Sequence, residues 1–170
     1  MEIAVNPFNW SFRSQYLLGF AICAALYSYA LYVQFDLHIE PCWLCIFQRI
    51  ALIAMAVFFL LGAIHNPRNI GRRVYALLVL ASAAAGVGFA AHHLWVQHLP
   101  PDPLAGCAPG FAYAWENFPI NKVLKMAFTG NPDCAEVNWT FLGLAMPFWT
   151  LVSFVVLGAS AVWAGFRRAR

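Results

Sequence analysis

Four stretches of this chain contain no Asp, Glu, Lys or Arg: Ser14–Phe35, Ile50–Pro67, Val74–Pro101 and Val137–Phe166. A helix needs about 20 apolar residues to cross a hydrocarbon core of roughly 30 Å, and each stretch supplies them. The expected spans are about Ser14–Val33, Leu44–Ile64, Val74–Trp95 and Leu142–Phe166. The second includes Arg49, one turn inside its outer end. A soluble bundle of buried helices is the alternative, but it would need polar faces, and these segments are apolar all round. With 62% hydrophobic and 10% charged residues and a mean hydropathy of +0.67, the composition excludes an ordinary soluble domain. The fold class expected is an all-α membrane protein, a four-transmembrane-helix bundle forming one integral membrane domain over residues 1–170.

The positive charges set an orientation. Arg13, Arg68, Arg72, Arg73, Arg167, Arg168 and Arg170 fall on one side of the expected bundle, Lys122 and Lys125 on the other. The positive-inside tendency places the first side, and both termini, in the cytoplasm. Asp36, Glu40, Asp102, Glu116, Asp133 and Glu136 then lie on the outer side. The net charge of +3 reflects topology and gives no reason to expect nucleic acid as a partner. The first span is too long for a signal-peptide core and lacks a small-residue cleavage signal, so it is expected to remain as an anchor.

Outer loops are expected at about residues 34–43 and 96–141, and the inner connection His65–Arg73 carries Asn66-Pro67 as a turn signal. Inside the long loop, Ile120, Val123, Leu124, Ala127 and Phe128 recur at helical spacing. They predict a short amphipathic helix lying on the bilayer surface, with packing against the bundle as the alternative. The small-residue run Ala83–Ala91, with Gly86 and Gly88, suits close helix packing. Trp139, Phe148 and Trp149 read as interface anchors, and Asn138-Trp139-Thr140 fits a sequon that matters only in a eukaryotic secretory pathway.

The cysteines carry the chemistry. Cys42, Cys45, Cys107 and Cys134 all fall at or beyond the outer membrane boundary, whereas Cys23 sits mid-span and reads as a small apolar residue. In a bacterium the outer compartment would be the oxidising periplasm. Structural staples are one reading: closing the loop of about 28 residues between Cys107 and Cys134 would stabilise by roughly 3–4 kcal/mol. Cys42 and Cys45 fit that reading poorly, because a two-residue spacer closes almost no loop entropy. A four-thiolate zinc site is a second reading, but it usually draws on two closely spaced ligand pairs, so no metal is expected. Thiol–disulfide exchange explains the C-x-x-C best.

Position strengthens that case. Pro41 suits a helix start, where free N–H groups and the positive dipole end stabilise a thiolate on Cys42 or Cys45. Arg49 follows Cys45 by four residues, on the same face about 6 Å deeper. A cation inside a span is a functional residue by default, the bland alternative being snorkelling to the headgroups. His92 and His93, near the outer end of span three, could assist proton uptake by a bound acceptor or serve only as interfacial polar residues.

Pro-Cys-x-Leu-Cys with Arg49 behind it resembles the disulfide bond formation protein B (DsbB) family. So does Leu94-Trp95-Val96-Gln97-His98-Leu99-Pro100-Pro101-Asp102, followed by Cys107-Ala108-Pro109-Gly110. Asp133-Cys134-Ala135-Glu136-Val137-Asn138-Trp139-Thr140-Phe141-Leu142-Gly143-Leu144, continuing to Met146-Pro147 and Trp149, carries the same resemblance, which covers about residues 14–166. The resemblance implies a thiol:quinone oxidoreductase of the bacterial inner membrane, part of the relay that keeps the periplasm oxidising. It implies redox disulfides Cys42–Cys45 and Cys107–Cys134, with a DsbA-like periplasmic thioredoxin-fold protein as dithiol donor. The partner's thiolate would attack Cys107, the released Cys134 would exchange with Cys42, and Cys45 would face the quinone, ubiquinone or menaquinone. Arg49, and with it His92 and His93, are the implied quinone-side residues. A quinone also fits the residues directly, because it is lipid-soluble and the chain carries no dinucleotide fingerprint or haem-attachment motif. The competing function class, a disulfide-stapled membrane scaffold, would need neither the C-x-x-C nor Arg49.

Overall fold

The structure, a computed structural model, describes residues 10–39, 41–98, 111–123, 134 and 140–167. Four of its helices are long and apolar enough to cross a membrane: α1 (Phe12–Phe35), α2 (Trp43–His65), α3 (Ile70–Gln97) and, after the short helix α4 (Phe111–Asn117), α5 (Met146–Phe166). The chain is thus a four-helix membrane bundle, as its charge-free runs predict.

Local chemistry sets the ends of these helices. Ser11, in extended conformation, caps α1 by accepting from the Ser14 N–H at 3.2 Å. Cys42, also extended, is the N-cap of α2, and its carbonyl accepts from the Ile46 N–H at 3.1 Å. Pro41 therefore sits just outside the helix, two residues before Trp43, the first helical position. Asn66 ends α2 in the left-handed region (φ 39°, ψ 55°), ahead of the Pro67 that cannot continue it. The fourth span begins at Met146 rather than Leu142. Leu142 and Gly143 both take positive φ (52° and 78°), forming the tight turn of a two-strand hairpin, β1 (Thr140–Phe141) against β2 (Leu144–Ala145). Pro147 then occupies the first turn of α5.

Helix α3 lies along both α2 and α5, and α1 lies mainly against α2. Small residues permit this closeness. A Cβ on Gly86 of α3 would stand 2.5 Å from the Phe154 ring of α5, and one on Gly165 of α5 would stand 2.5 Å from Ala76 of α3. Gly88 has nothing within 4 Å, so only part of the small-residue run serves packing.

Two clusters fill the interior. Along the bundle run Tyr16, Cys23, Met55, Phe59, Val79, Phe154 and Leu157. Cys23 is buried there as one more small apolar side chain. At the end of the bundle that carries Cys42, a second cluster joins Trp43, Leu44, Val96, Ala114, Val123 and Cys134. The expected amphipathic helix falls partly within the described residues. Its helical turn at 120–123 rests on this cluster through Val123, while Ile120 stays exposed, so that turn packs on the protein. Leu124, Ala127 and Phe128 lie outside the described residues.

Candidate redox site at the head of helix α2

The N-cap position of Cys42 places Cys45 in the first turn, with the two sulfurs 3.1 Å apart and both half-buried. First-turn N–H groups have no partner within a helix, so the sulfurs sit at the positive end of α2. Four of the residues singled out from sequence come together here: Cys42, Cys45, Cys134 and His93. The His93 ring, only 3% exposed, has Nε2 3.7 Å from the Cys42 sulfur and Nδ1 4.0 Å from the Cys45 sulfur. One donor atom from each of these three residues lies within 4.8 Å of the others.

Cys134 reaches the same point from the long loop. It is 1% exposed and hydrogen-bonded to the Cys42 side chain. That bond, with burial and the Cys42 charge, pushes the Cys134 thiol well above the ordinary cysteine range, against a backbone hydrogen bond from Leu44 in the first turn of α2 that pulls it down. The backbone of Cys134 is also a hydrogen-bond partner of His93.

Two further residues belong to the site although sequence reasoning passed over them. The buried Gln48 side chain reaches His93 Nδ1 at 3.2 Å, and Thr150 of α5 lies 2.7 Å from the other end of the same amide. A signal existed for Gln48: it follows Cys45 by three residues, so it shares the cysteine face of α2, and it is a polar amide in an apolar helix. Thr150 offered none, since only the packing of α5 brings it to α2.

On the other side of Cys45 a mostly apolar cavity of about 470 Å³ opens between α1, α2 and α5. Cys45, Gln48, Arg49, Pro147, Trp149 and Thr150 are among its walls, so Trp149 faces the cavity as well as an expected interface. Among the described residues, Arg49 does not bond a sulfur. Its guanidinium donates to Gln34 Oε1 and, at 3.0 Å, to the Ala30 carbonyl near the end of α1. His92 is half-buried and turned about 100° around α3 from His93. Cys107 lies outside the described residues.

A multi-pass membrane helix bundle with a clustered C-x-x-C, a loop cysteine and a buried imidazole is a membrane protein built for thiol chemistry. The family model described as disulfide bond formation protein DsbB matches residues 12–164. Disulfide bond formation protein B of Xanthomonas axonopodis pv. citri is 51% identical over 167 residues, covering 98% of this chain and 97% of that protein. The protein of the same description from Methylococcus capsulatus is 50% identical over 149 residues, covering 88% and 91%, and that from Nitrosococcus oceani is 44% identical over 153, covering 90% of each. The chain belongs to the DsbB family, and with it to the oxidoreductases of disulfide bond formation.

Proposed function

We propose that this chain reoxidises a DsbA-like thioredoxin-fold dithiol protein and passes two electrons to membrane quinone, as a thiol:quinone oxidoreductase. The observation that carries this reading is the two-sided setting of the Cys42–Cys45 pair. Cys42 meets the loop cysteine Cys134, and Cys45 lines the apolar cavity. A thiolate of the partner attacks Cys107 of a Cys107–Cys134 disulfide and releases Cys134 as a thiolate. Cys134 then attacks Cys42 of the Cys42–Cys45 disulfide, and Cys45 leaves as the thiolate at the cavity wall. Each exchange breaks one sulfur–sulfur bond and forms one. The helix N-terminus and its free N–H groups stabilise the charge on the departing sulfur.

The cavity fits a quinone head: its walls are mostly apolar, with a few polar groups that fix orientation. When bound, the quinone, ubiquinone or menaquinone, supplies the sink for two electrons and two protons. Arg49 would hold a carbonyl oxygen there, since its five N–H donors exceed the two bonds it makes to α1. His93 would handle protons beside the sulfurs, with His92 as a further polar group near the same helix end. No metal enters this reading. The cysteines face the periplasm and both termini the cytoplasm of a bacterial inner membrane, an orientation supported by the clustering of arginines on the opposite side.

The test is to mix the purified protein, a reduced thioredoxin-fold dithiol protein and a quinone analogue, and to follow quinone absorbance. Catalytic loss of quinone absorbance, matched by oxidation of the partner, is the expected result. Oxidation of the partner by stoichiometric protein, with the quinone untouched, would remove the quinone from the mechanism.

A further inference from the structure

Gln48 and Thr150 form a bridge from α5 through α2 to the imidazole of His93. Thr150 Oγ1 lies 2.7 Å from Gln48 Oε1 and 2.9 Å from the Pro147 carbonyl. A hydroxyl has one proton, and sharing it between two oxygens weakens its bond to each. A carboxamide keeps the same outline when its oxygen and nitrogen exchange places, so the hydrogen-bond network decides between the two orientations. The exchanged orientation gives the Thr150 hydroxyl both a donor and an acceptor. Thr150 donates to the Pro147 carbonyl and accepts from the Gln48 amide nitrogen, and the Gln48 oxygen accepts from His93 Nδ1–H across the 3.2 Å gap. Gln48 is 5% exposed and His93 3%, so an unmet group here would cost about 1–3 kcal/mol.

With its proton on Nδ1, the neutral ring carries a lone pair on Nε2, the atom 3.7 Å from the Cys42 sulfur. We infer that Thr150 and Gln48 are positioning residues that fix this tautomer, so that His93 Nε2 takes the proton from the Cys42 thiol. The transfer turns Cys42–SH and neutral His93 into a thiolate and an imidazolium. In that state Nδ1–H donates to the Gln48 oxygen, while Nε2–H faces the Cys42 thiolate. The proton goes back when Cys42 is next displaced from a disulfide. Among the described residues, the titratable groups facing the ring are Cys42 and Cys45 from α2 and Cys134 from the loop. Gln48 and Thr150 add no charge.

The inference deepens the thiol-exchange reading, and its test needs neither quinone nor partner. In reduced protein labelled with ¹⁵N-histidine, the nitrogen shifts of His93, assigned through His93→Gln, report the tautomer. The expected pattern is a protonated Nδ1 and an unprotonated Nε2. Iodoacetamide alkylation of Cys42, read site by site by mass spectrometry, reports the base. Gln48→Met should slow it about tenfold, less than the hundredfold or more that loss of a positioned base costs, because the imidazole itself remains. Gln48→Glu, whose carboxylate accepts from Nδ1–H, should recover the rate. Thr150→Val should slow it severalfold, and Thr150→Ser should regain most of that loss. A proton found on Nε2, a wild-type rate in Gln48→Met, or Gln48→Glu slower than Gln48→Met would each overturn the inference. Should Gln48→Met fail to fold, the Glu variant, the Thr150 pair and the nitrogen shifts still decide. Wild-type protein that shows the expected tautomer and alkylation pattern but never reduces quinone would refute the quinone assignment and leave the bridge standing.

Discussion

Cys45 and Arg49 stand one helical turn apart on α2 and open into the same cavity, yet the Arg49 guanidinium is bonded to Gln34 and the Ala30 carbonyl of α1. The cation is therefore held within the protein at the cavity wall, which separates it from a side chain that merely bends toward headgroups.

That placement makes Arg49 the first residue to change. Arg49→Lys keeps the charge but loses the planar donor fork, so it should retain part of the activity. Arg49→Gln should weaken quinone use far more, by roughly 2–4 kcal/mol if its contribution matches that of one oxyanion-hole donor. Steady-state quinone reduction with a fixed reduced partner separates the two. An unchanged turnover and quinone KM in Arg49→Gln would place the acceptor away from the cavity.

Changing the cysteines one at a time tests connectivity. Cys107→Ser should leave Cys42–Cys45 able to form but uncoupled from the partner. Cys42→Ser should allow one use of Cys107–Cys134 and no quinone turnover. Equal residual turnover in both would defeat the two-pair relay. Cys23→Ser should leave turnover nearly unchanged, because Cys23 lies among apolar core residues rather than with the sulfur cluster.

Cys134 carries a pH signature in the reduced protein. Its folded-state pKa is raised, so the stability tied to its protonated form is fully present below the unfolded cysteine value of about 8.5. That stability falls away as pH rises above this value. Denaturation of the reduced protein should be easier at about pH 10 than at about pH 7, and Cys134→Ala should narrow the difference. A difference that survives Cys134→Ala unchanged would assign the effect to another group.

Gly86 and Gly88 offer a paired test of helix packing. A methyl group on Gly86 meets the Phe154 ring, whereas one on Gly88 meets open space. Gly86→Ala should destabilise by about 1–3 kcal/mol through overpacking. Gly88→Ala should be neutral or slightly stabilising, because alanine is the better helix former. Thermal unfolding in detergent or bicelles compares them, and equal shifts would contradict the packing described for α3 and α5.

The architecture was legible in the sequence because lipid solvation leaves a coarse mark: residues without charge over the length of a span. The C-x-x-C and Arg49 were legible for a related reason, since a cation and paired thiols stand out against apolar neighbours. Three features were hidden. The start of α5 depends on Leu142 adopting a left-handed backbone, which its side chain does not announce. Which of two adjacent histidines turns inward depends on the rotation of α3, and it is His93 that reaches the sulfurs of Cys42 and Cys45. Thr150 joins the site only through tertiary packing. The Cys107 half of the loop pair lies outside the described residues, and its pairing with Cys134 is what the family resemblance implies.

The N-cap position of Cys42 divides rigidity unequally between neighbouring sulfurs. Cys45 belongs to a turn whose backbone is locked into α2, so its sulfur stays aimed at the cavity. Cys42 is half outside the helix, in extended conformation and with no capping bond from its side chain. Its sulfur can swivel about χ1 between Cys45 and Cys134 without breaking a rung of the helix. The chain thus pairs a swinging contact with a fixed terminal, and a substitution that drew Cys42 one residue further into the helix would weld the switch shut while leaving every cysteine in place.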